Sequence, residues 1–270
     1  MNTTTRPGGK LKRAKALGIP TSNLYYVSRK AVRDWHLKCR IGEVLHEHPS
    51  YGSRNLARAL GFNRKRIQRV MRLFCLHPYR RRGKRWRKPR HIDHIYDNLL
   101  QLTMPMYPHH MWAADFTELS FQRNKLYVAT VLDIFTRQVV GVSVAKRKGV
   151  PLTVQALWNA LLAHPRPEIF HSDNGREYEA QSFIGVLKQF GISISRSRPG
   201  SPWENGYQES FYGKFKLDLG DPNRCATLGE LVAEIYSTIW IYNHTRIHSA
   251  LKMPPALFAH KQETALLLAA

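Results

Sequence analysis

Three acidic side chains occur where a carboxylate is well placed to do chemistry. Asp115 lies within an apolar segment, residues 111–117, whose alternating pattern predicts a β-strand. Asp173 ends a second short apolar stretch and precedes Asn174-Gly175. Glu209 lies in a segment that predicts a helix, with 35 residues between it and Asp173. Sheets of α/β domains bind their ligands at the carboxyl ends of strands. These positions make the three acids candidates for one site.

The chemistry that such acids favour is the binding of a divalent cation. A carboxylate on a buried strand is costly unless it is paired, protonated or bound to metal. Acids that converge from different elements raise one another's pKa values unless a cation neutralises them. Mg²⁺ prefers oxygen ligands, and two ions about 4 Å apart can promote an in-line phosphoryl transfer. Taken singly, the default interpretation of Asp115 is a hydrogen-bonded structural acid, and that of Glu209 is a solvated helix residue.

The elements around these acids predict an α/β fold. We expect three strands first, followed by alternating helices and strands, which is typical of a mixed sheet. Strands are predicted at residues 111–117, 126–132, 138–144, 168–172 and 192–195, with a hairpin turn at 133–137. Helices are predicted at residues 152–164, 179–190, 203–217 and 228–242.

Two short helices around Gly61 are predicted ahead of this domain. Ser53 is a candidate N-cap for the first, and Asn63 for the second, at residues 64–76. The second helix has one apolar face and one basic face, which indicates either a DNA-binding helix-turn-helix or an ordinary hairpin with a solvated basic side. In the DNA-binding interpretation, Arg64, Lys65 and Gln68 meet base edges, whereas Arg69 and Arg72 meet phosphates.

The positive charge is concentrated in the N-terminal third of the chain. The net charge is +23, and residues 1–92 hold 25 Lys and Arg against 3 acidic residues, whereas residues 93–270 hold 17 against 16. Such a field attracts nucleic acid. A basic membrane-surface or ribosome-binding arm has the same charge pattern. The densest part predicts a linker that follows a phosphate backbone or a disordered tether, and its candidate DNA contacts are Arg80, Arg81, Arg82, Lys84 and Arg85.

Several classes of protein are disfavoured by composition. No apolar run reaches the roughly 18 residues of a membrane-spanning helix. The basic, polar N-terminus does not resemble a secretory signal. The three cysteines lie far apart without a CxxC pair, which favours reduced thiols over a zinc site or a disulfide framework.

Four motifs in order make residues 108–258 resemble the integrase-type catalytic core of retroviral integrases and bacterial insertion sequences. They are residues 112–117 (WAADFT), 171–175 (HSDNG), 198–211 (RPGSPWENGYQESF) and 242–251 (YNHTRIHSAL). The chain is most similar to the second-reading-frame product of the IS-three group of insertion sequences. Ile247 departs from that group, which commonly has proline between the arginine and histidine of the last motif.

The resemblance implies an RNase H-like fold and a DDE-type transposase. Asp115, Asp173 and Glu209 would be the catalytic, metal-binding triad, with Glu177 as the substitute if one ligand is misassigned. The implied cofactor is Mg²⁺, as two ions, with Mn²⁺ as a replacement. Lys216 follows Glu209 by seven residues and returns to the same helical face, where the family has a basic DNA contact; a solvated lysine fits equally well. No nicotinamide, flavin or similar organic cofactor is implied.

The implied reaction is strand cleavage at the ends of a mobile element, followed by attack of the freed 3′-hydroxyl on target DNA. Partners would be double-stranded DNA, as element ends and target, other copies of the chain in a homo-oligomer, and an upstream-reading-frame product. A nuclease of the same fold and a DNA-binding regulator with an inactive core are the alternatives. The protein is expected in the bacterial cytoplasm, at the nucleoid.

These inferences together predict a division of the chain into five parts. They are a basic helical region (1–48), a helix-turn-helix region (49–78), a basic linker (79–107), the catalytic core (108–258) and a C-terminal tail (259–270).

Overall fold

The structure, a computed structural model, describes most of the chain. The described residues are 14–16, 18, 20, 29–79, 96–198 and 201–269. The basic segment at residues 80–85, with its five predicted DNA contacts, lies outside them. No helix of the described part is long and apolar enough to cross a membrane.

The centre of the fold is a five-stranded mixed sheet in the order β3-β2-β1-β4-β5. Its strands are β1 (Met111–Phe121), β2 (Asn124–Asp133), β3 (Val139–Ala145), β4 (Ile169–Ser172) and β5 (Ser193–Arg196). The first three strands pair antiparallel, and β4 and β5 run parallel to β1. All five strands predicted from the sequence are therefore present, and β1 and β2 extend beyond their predicted ends.

A tight turn joins β2 to β3 at the predicted hairpin. The Asp133 carboxylate accepts hydrogen bonds from the backbone N–H groups of His109 and Phe135 (2.9 and 2.8 Å). Arg137 closes the turn with a φ of 63°, in the left-handed region that few side-chain-bearing residues adopt. This turn carries Arg137 to the surface that the sheet shares with the C-terminal helices.

Helices cover both faces of the sheet. One face packs against α5 (Val150–Ala163) and α7 (Gln181–Gln189), and the other against α8 (Gly206–Leu219) and α9 (Leu228–His244). Shorter or peripheral helices are α4 (Leu99–Leu102), α6 (Arg176–Glu179) and α10 (Pro255–Ala269), with 3₁₀ turns at Pro202–Asn205 and Pro222–Arg224. Gly141 lets α5 approach β3 closely, because a Cβ there would lie 2.3 Å from the Ala156 carbonyl oxygen.

Two predicted helices begin differently in the structure. The helix predicted at 179–190 corresponds to α7, with the short helix α6 directly ahead of it, and the one predicted at 203–217 begins as the 3₁₀ turn Pro202–Asn205 before α8. Residues 259–269, predicted as a tail, belong to α10.

Three N-terminal helices form a small unit of their own. They are α1 (Lys30–Glu47), α2 (Ser53–Leu60) and α3 (Arg64–Leu73), and they bury Leu37, Ile41, Leu56, Ile67 and Val70 against one another. The Asn63 side chain accepts from the Lys65 N–H at 2.8 Å, which confirms the predicted cap of α3. The predicted Ser53 cap is wrong: Gly52 precedes α2, and Ser53 is its first residue.

This N-terminal unit is attached to the catalytic domain through a buried polar contact. Arg246 forms an ion pair with Asp218 of α8 (2.6 Å), with both side chains about 5% exposed. The Ser50 hydroxyl donates to Asp218, and Arg246 donates to Ser50, both at 2.7 Å. The Ile247 N–H donates to the Tyr51 hydroxyl. The residue where the chain departs from its resembled group therefore supplies a hydrogen bond that proline cannot make.

Candidate active site

Sheet register places Asp115 and Asp173 side by side. Strands β1 and β4 run parallel, with Trp112 opposite Phe170 and Ala113 opposite His171. Two residues further along each strand lie Asp115, still within β1, and Asp173, just past the end of β4. Neighbouring strands are about 4.8 Å apart. The two aspartates, 58 positions apart in sequence, thus lie close together on the neighbouring interior strands of the sheet.

Helix α8 brings Glu209 to the same place. Gln208 donates to the Ala113 carbonyl at 2.6 Å, and the Tyr212 hydroxyl donates to the Asp115 carbonyl at 2.7 Å. Asn205 adds a bond to the Ala114 carbonyl at 3.3 Å. These three side chains fix the helix across β1, and Glu209 lies between two of them with its own side chain exposed. The sequence motif contains these residues but gave no sign of their docking role.

The electrostatics of the site show an excess of negative charge. Burial, and next the charge of Asp173, raise the pKa of Asp115 from 3.8 to about 7; Glu209 adds to this rise, whereas a hydrogen bond from the Phe116 N–H and the charge of Lys216 oppose it. Burial also raises the pKa of Asp173. A bound cation would relieve this repulsion, so the donor set fits a divalent metal.

A tight loop holds Asp173. Its carboxylate accepts from the Gly175 N–H at 2.9 Å. A Cβ on Gly175 would lie 2.9 Å from that same carboxylate oxygen and 3.3 Å from Glu177, so a larger residue would displace the acid. Asn174 donates to the Ser197 carbonyl at 2.6 Å and braces the loop from the other side. Glu177 is close enough to raise the pKa of Asp173, but it is not among the groups that raise the pKa of Asp115.

Arg196 is a buried residue beside Asp173 that the sequence analysis did not single out. Its side chain is 1% exposed, and it donates to the Asp173 carbonyl (3.1 Å), the Ser172 hydroxyl and the Tyr178 carbonyl. The buried guanidinium lowers the pKa of Asp173 against the effect of burial. An arginine at the end of an otherwise small and apolar strand was the available signal. The predicted strand stopped one residue earlier, at Ser195.

His171 lies behind the acids rather than among them. It is fully buried, and its Nδ1 lies 2.9 Å from the Ser195 hydroxyl. Burial, and next the charge of Arg196, lower its pKa to about 3, so the ring is neutral at physiological pH. It joins β4 to β5 and thereby supports the strand that ends at Asp173.

Lys216 lies near the acid cluster, whereas Glu118 of β1 lies outside it. Lys216 is close enough to Asp115 to lower that residue's pKa, in agreement with the predicted helical face. Glu118 is exposed and pairs with Lys125 at 3.1 Å, outside the acid cluster.

The predicted DNA-reading residues of α3 divide into two kinds. Lys65 and Arg72 are exposed on the outer side of the helix. Arg64 and Gln68 both donate to the Ser53 hydroxyl at 3.4 Å, and Arg69 forms a bidentate pair with Asp34 at 2.6 Å. A DNA phosphate would therefore have to compete with Asp34 for the Arg69 guanidinium.

The chain is similar in sequence to the integrase core domain family and to insertion-sequence transposases, and similar in fold to a viral intasome chain. Residues 106–202 and 190–255 match the integrase core domain family. The chain is 30% identical, over 83% of its length and 93% of the relative's, to the transposase for insertion sequence element IS904 of Lactococcus lactis subsp. lactis (strain IL1403). It is 30% identical over 87% of its length to the transposase for insertion sequence element IS629 of Shigella sonnei, covering 82% of that protein. A simian T-cell lymphotropic virus intasome chain shares the fold, with a TM-score of 0.50 and 20% identity over 80% of this chain and 73% of that one.

Proposed function

Since the chain belongs to the insertion-sequence transposases with an integrase core domain and acts in DNA transposition, we propose that Asp115, Asp173 and Glu209 are its catalytic carboxylates. The observation that carries this proposal is the β1–β4 register, which brings Asp173 close enough to Asp115 for its charge to raise the Asp115 pKa. Burial raises the pKa of both carboxylates. The docking of α8 on the Ala113 and Asp115 carbonyls supports Glu209 as the third member.

The three carboxylates would hold the divalent metal. When bound, Mg²⁺ would neutralise charge on the scissile phosphate and promote attack in line with the leaving oxygen. Among the described residues, no group of three His, Cys, Asp or Glu side chains is already close enough to hold one ion. Ion binding would therefore draw the exposed Glu209 side chain toward the two aspartates, whose positions are fixed by β1 and by the Gly175 loop.

The reaction consists of two phosphoryl transfers at one site. Water first attacks a phosphodiester at the element end, which releases a 3′-hydroxyl and a 5′-phosphate. That 3′-hydroxyl then attacks a target phosphodiester, so one bond forms as another breaks and no energy source is needed. Asp115 and Asp173 would hold the cation, which would supply charge neutralisation at the reacting phosphate, and Lys216, close enough to lower the pKa of Asp115, would attract a DNA phosphate.

Metal removal provides the direct test. With a duplex of the element's terminal sequence and a plasmid target, we expect joined products with Mg²⁺ or Mn²⁺ and none after EDTA treatment, since the carboxylates would then repel the phosphate. Products are read on sequencing gels. Strand cleavage without joining would indicate a nuclease instead, and joining that persists in EDTA would overturn the proposed role of the carboxylates.

Helix α3 is proposed to read the DNA ends. The cap at Asn63 fixes its N-terminus, and exposed Lys65 lies in its first turn, where recognition helices meet base edges. Exposed Arg72 lies two turns further, where a phosphate contact is expected.

Substitutions on α3 separate these two roles. Lys65→Ala should reduce the preference for end DNA over scrambled DNA by about 1–3 kcal/mol, the value of a base-reading contact. Arg72→Ala should weaken binding to both DNAs alike. Competition binding at fixed salt measures both affinities. If neither variant changes the ratio of the two affinities, the ends are recognised elsewhere.

We also propose that several copies of the chain assemble on DNA. Both ends of an element must be joined to one target, and each chain carries one set of the three carboxylates. Such an assembly would work where the target DNA is, at the bacterial nucleoid.

A further inference from the structure

A cavity separate from the carboxylates opens beside α8. It has a volume of about 620 Å³ and lies between α8, the β2–β3 turn and the segment at residues 246–250 that follows α9. On α8 it is lined by Tyr207, Ser210 and Lys214. Glu209 and Lys216 project from a neighbouring side of the same helix, about 100° or more away around its axis. The cavity is therefore adjacent to the proposed active site but does not share its acids.

Arg137 places a guanidinium in the wall of the cavity. The left-handed turn after β2 projects its guanidinium over the Tyr207 ring, 4.1 Å from the ring centroid. Its Nη1 is buried and has no hydrogen-bond partner among the described residues. A buried donor without an acceptor is costly. Because the Arg137 side chain lines the cavity, turning this donor toward an oxygen of a bound ligand would satisfy it.

The other charges lining the cavity leave a positive excess. Lys214 is exposed and adds a second cation. Arg246 is neutralised by Asp218. Glu204, the acid at the far end, has its own cation in Arg198 (3.9 Å) and accepts hydrogen bonds from Asn98 and Gln101. Arg137 and Lys214 are thus the two cations whose charge no neighbouring acid offsets in this part of the described structure.

His248 also lies at the wall of the cavity. Burial, and then the charges of Arg137, Arg246 and Lys214, lower its pKa to about 4. The imidazole is therefore neutral at physiological pH and leaves the positive excess to Arg137 and Lys214. The ligand class that this environment favours is an anion.

We propose that this cavity binds a phosphate group of the DNA backbone between Arg137 and Lys214, while the reacting strand lies across the carboxylates. The inference rests on the proposed function, because DNA is the anion that reaches α8 there. A stacked base is a poorer occupant, since the guanidinium of Arg137 already covers the Tyr207 ring. The fork of donors on arginine matches phosphate oxygens, and Ser210, which also lines the cavity, carries a hydroxyl that can donate to one.

Salt-dependent binding tests the proposal. Lys214→Ala and Arg137→Met should each make the log–log salt dependence of binding to the terminal duplex shallower by about 0.9, the value for one lost phosphate contact. The matched control is Lys188→Ala, an exposed lysine on α7, which should leave the slope unchanged. A set of duplexes with single neutral methylphosphonates should contain one whose substitution weakens the wild type but not Lys214→Ala.

Each result decides the proposal. Unchanged slopes in both variants, or a change in Lys214→Ala alone, would overturn it, because a phosphate in the cavity must contact both cations. If Arg137→Met fails to fold, the methylphosphonate scan with Lys214→Ala decides, and a wild-type pattern there would overturn the proposal. Joining by the wild type is measured in parallel. Intact joining with unaltered slopes rejects the cavity alone, whereas absent joining rejects the proposed function.

Discussion

Asp115→Asn, Asp173→Asn and Glu209→Gln are each expected to lower strand joining by at least about 10³-fold, since each removes several kcal/mol of metal-mediated stabilisation. Each replacement keeps the shape of the side chain and removes the charge that would hold the cation. Binding to the terminal duplex should stay close to wild type, because it depends on α3 and the basic N-terminal third. Joining is measured from time courses with saturating Mg²⁺. A variant that joins at nearly the wild-type rate would remove its residue from the triad.

The metal-free stability of Asp115→Asn distinguishes a catalytic acid from a structural one. The pKa of Asp115 is raised from 3.8 to about 7, so between these pH values the folded protein binds more protons than the unfolded chain. The free energy of unfolding therefore falls as the pH rises from 3.8 toward 7, because the folded protein resists ionisation of this acid. The amide introduced by this substitution cannot ionise, so the variant should melt a few degrees higher than wild type at pH 7.5 without metal, at about 2–4 °C per kcal/mol.

A neighbouring acid is the control for both measurements. Glu118 lies on the same strand and pairs with Lys125 at the surface. Glu118→Gln should join DNA normally and should not raise the melting temperature. If Asp115→Asn instead lowers the melting temperature, the acid is a hydrogen-bonded structural residue, which was the alternative left open by the sequence.

Local features of the fold were predictable because their causes are local. The alternation around Asp115 predicts strand β1, and Asn63 followed by a basic, one-sided apolar segment predicts the capped helix α3. The order of the carboxylate motifs gave the candidate triad by resemblance to a family. None of these inferences required knowledge of which strands pair.

Contacts between distant segments could not be read from the sequence. The register that sets Ala113 opposite His171 depends on packing of the whole sheet, and it alone brings the two aspartates together. The contact of Ser50 with Asp218 and Arg246 joins segments 168 and 196 residues apart. Arg137 carries no motif, yet the turn after β2 places it over Tyr207.

Arg196→Met is the second change from which we expect a large effect. It removes the buried donor of the Ser172 hydroxyl, the Tyr178 carbonyl and the Asp173 carbonyl, of which the last keeps a hydrogen bond from the Ser172 hydroxyl (3.0 Å). Loss of one partner from a buried charged network costs about 3–5 kcal/mol, so the melting temperature should fall by roughly 10 °C. Arg196 also lowers the pKa of Asp173. Its loss should therefore raise the Mg²⁺ concentration needed for half-maximal joining, by about tenfold if the change costs 1.4 kcal/mol of ion binding.

The metal dependence, measured at a temperature where every variant is folded, separates positioning from general support. Leu157→Ala is the matched control, because it removes a fully buried side chain of α5 and costs a similar 2–5 kcal/mol. That variant should keep the wild-type Mg²⁺ dependence despite its lower melting temperature. Arg196→Lys retains the charge beside Asp173 but loses the fork of donors. Its Mg²⁺ requirement should therefore return closer to the wild-type value than its melting temperature does. If Arg196→Met and Leu157→Ala show the same Mg²⁺ requirement, Arg196 supports the fold and does not position Asp173.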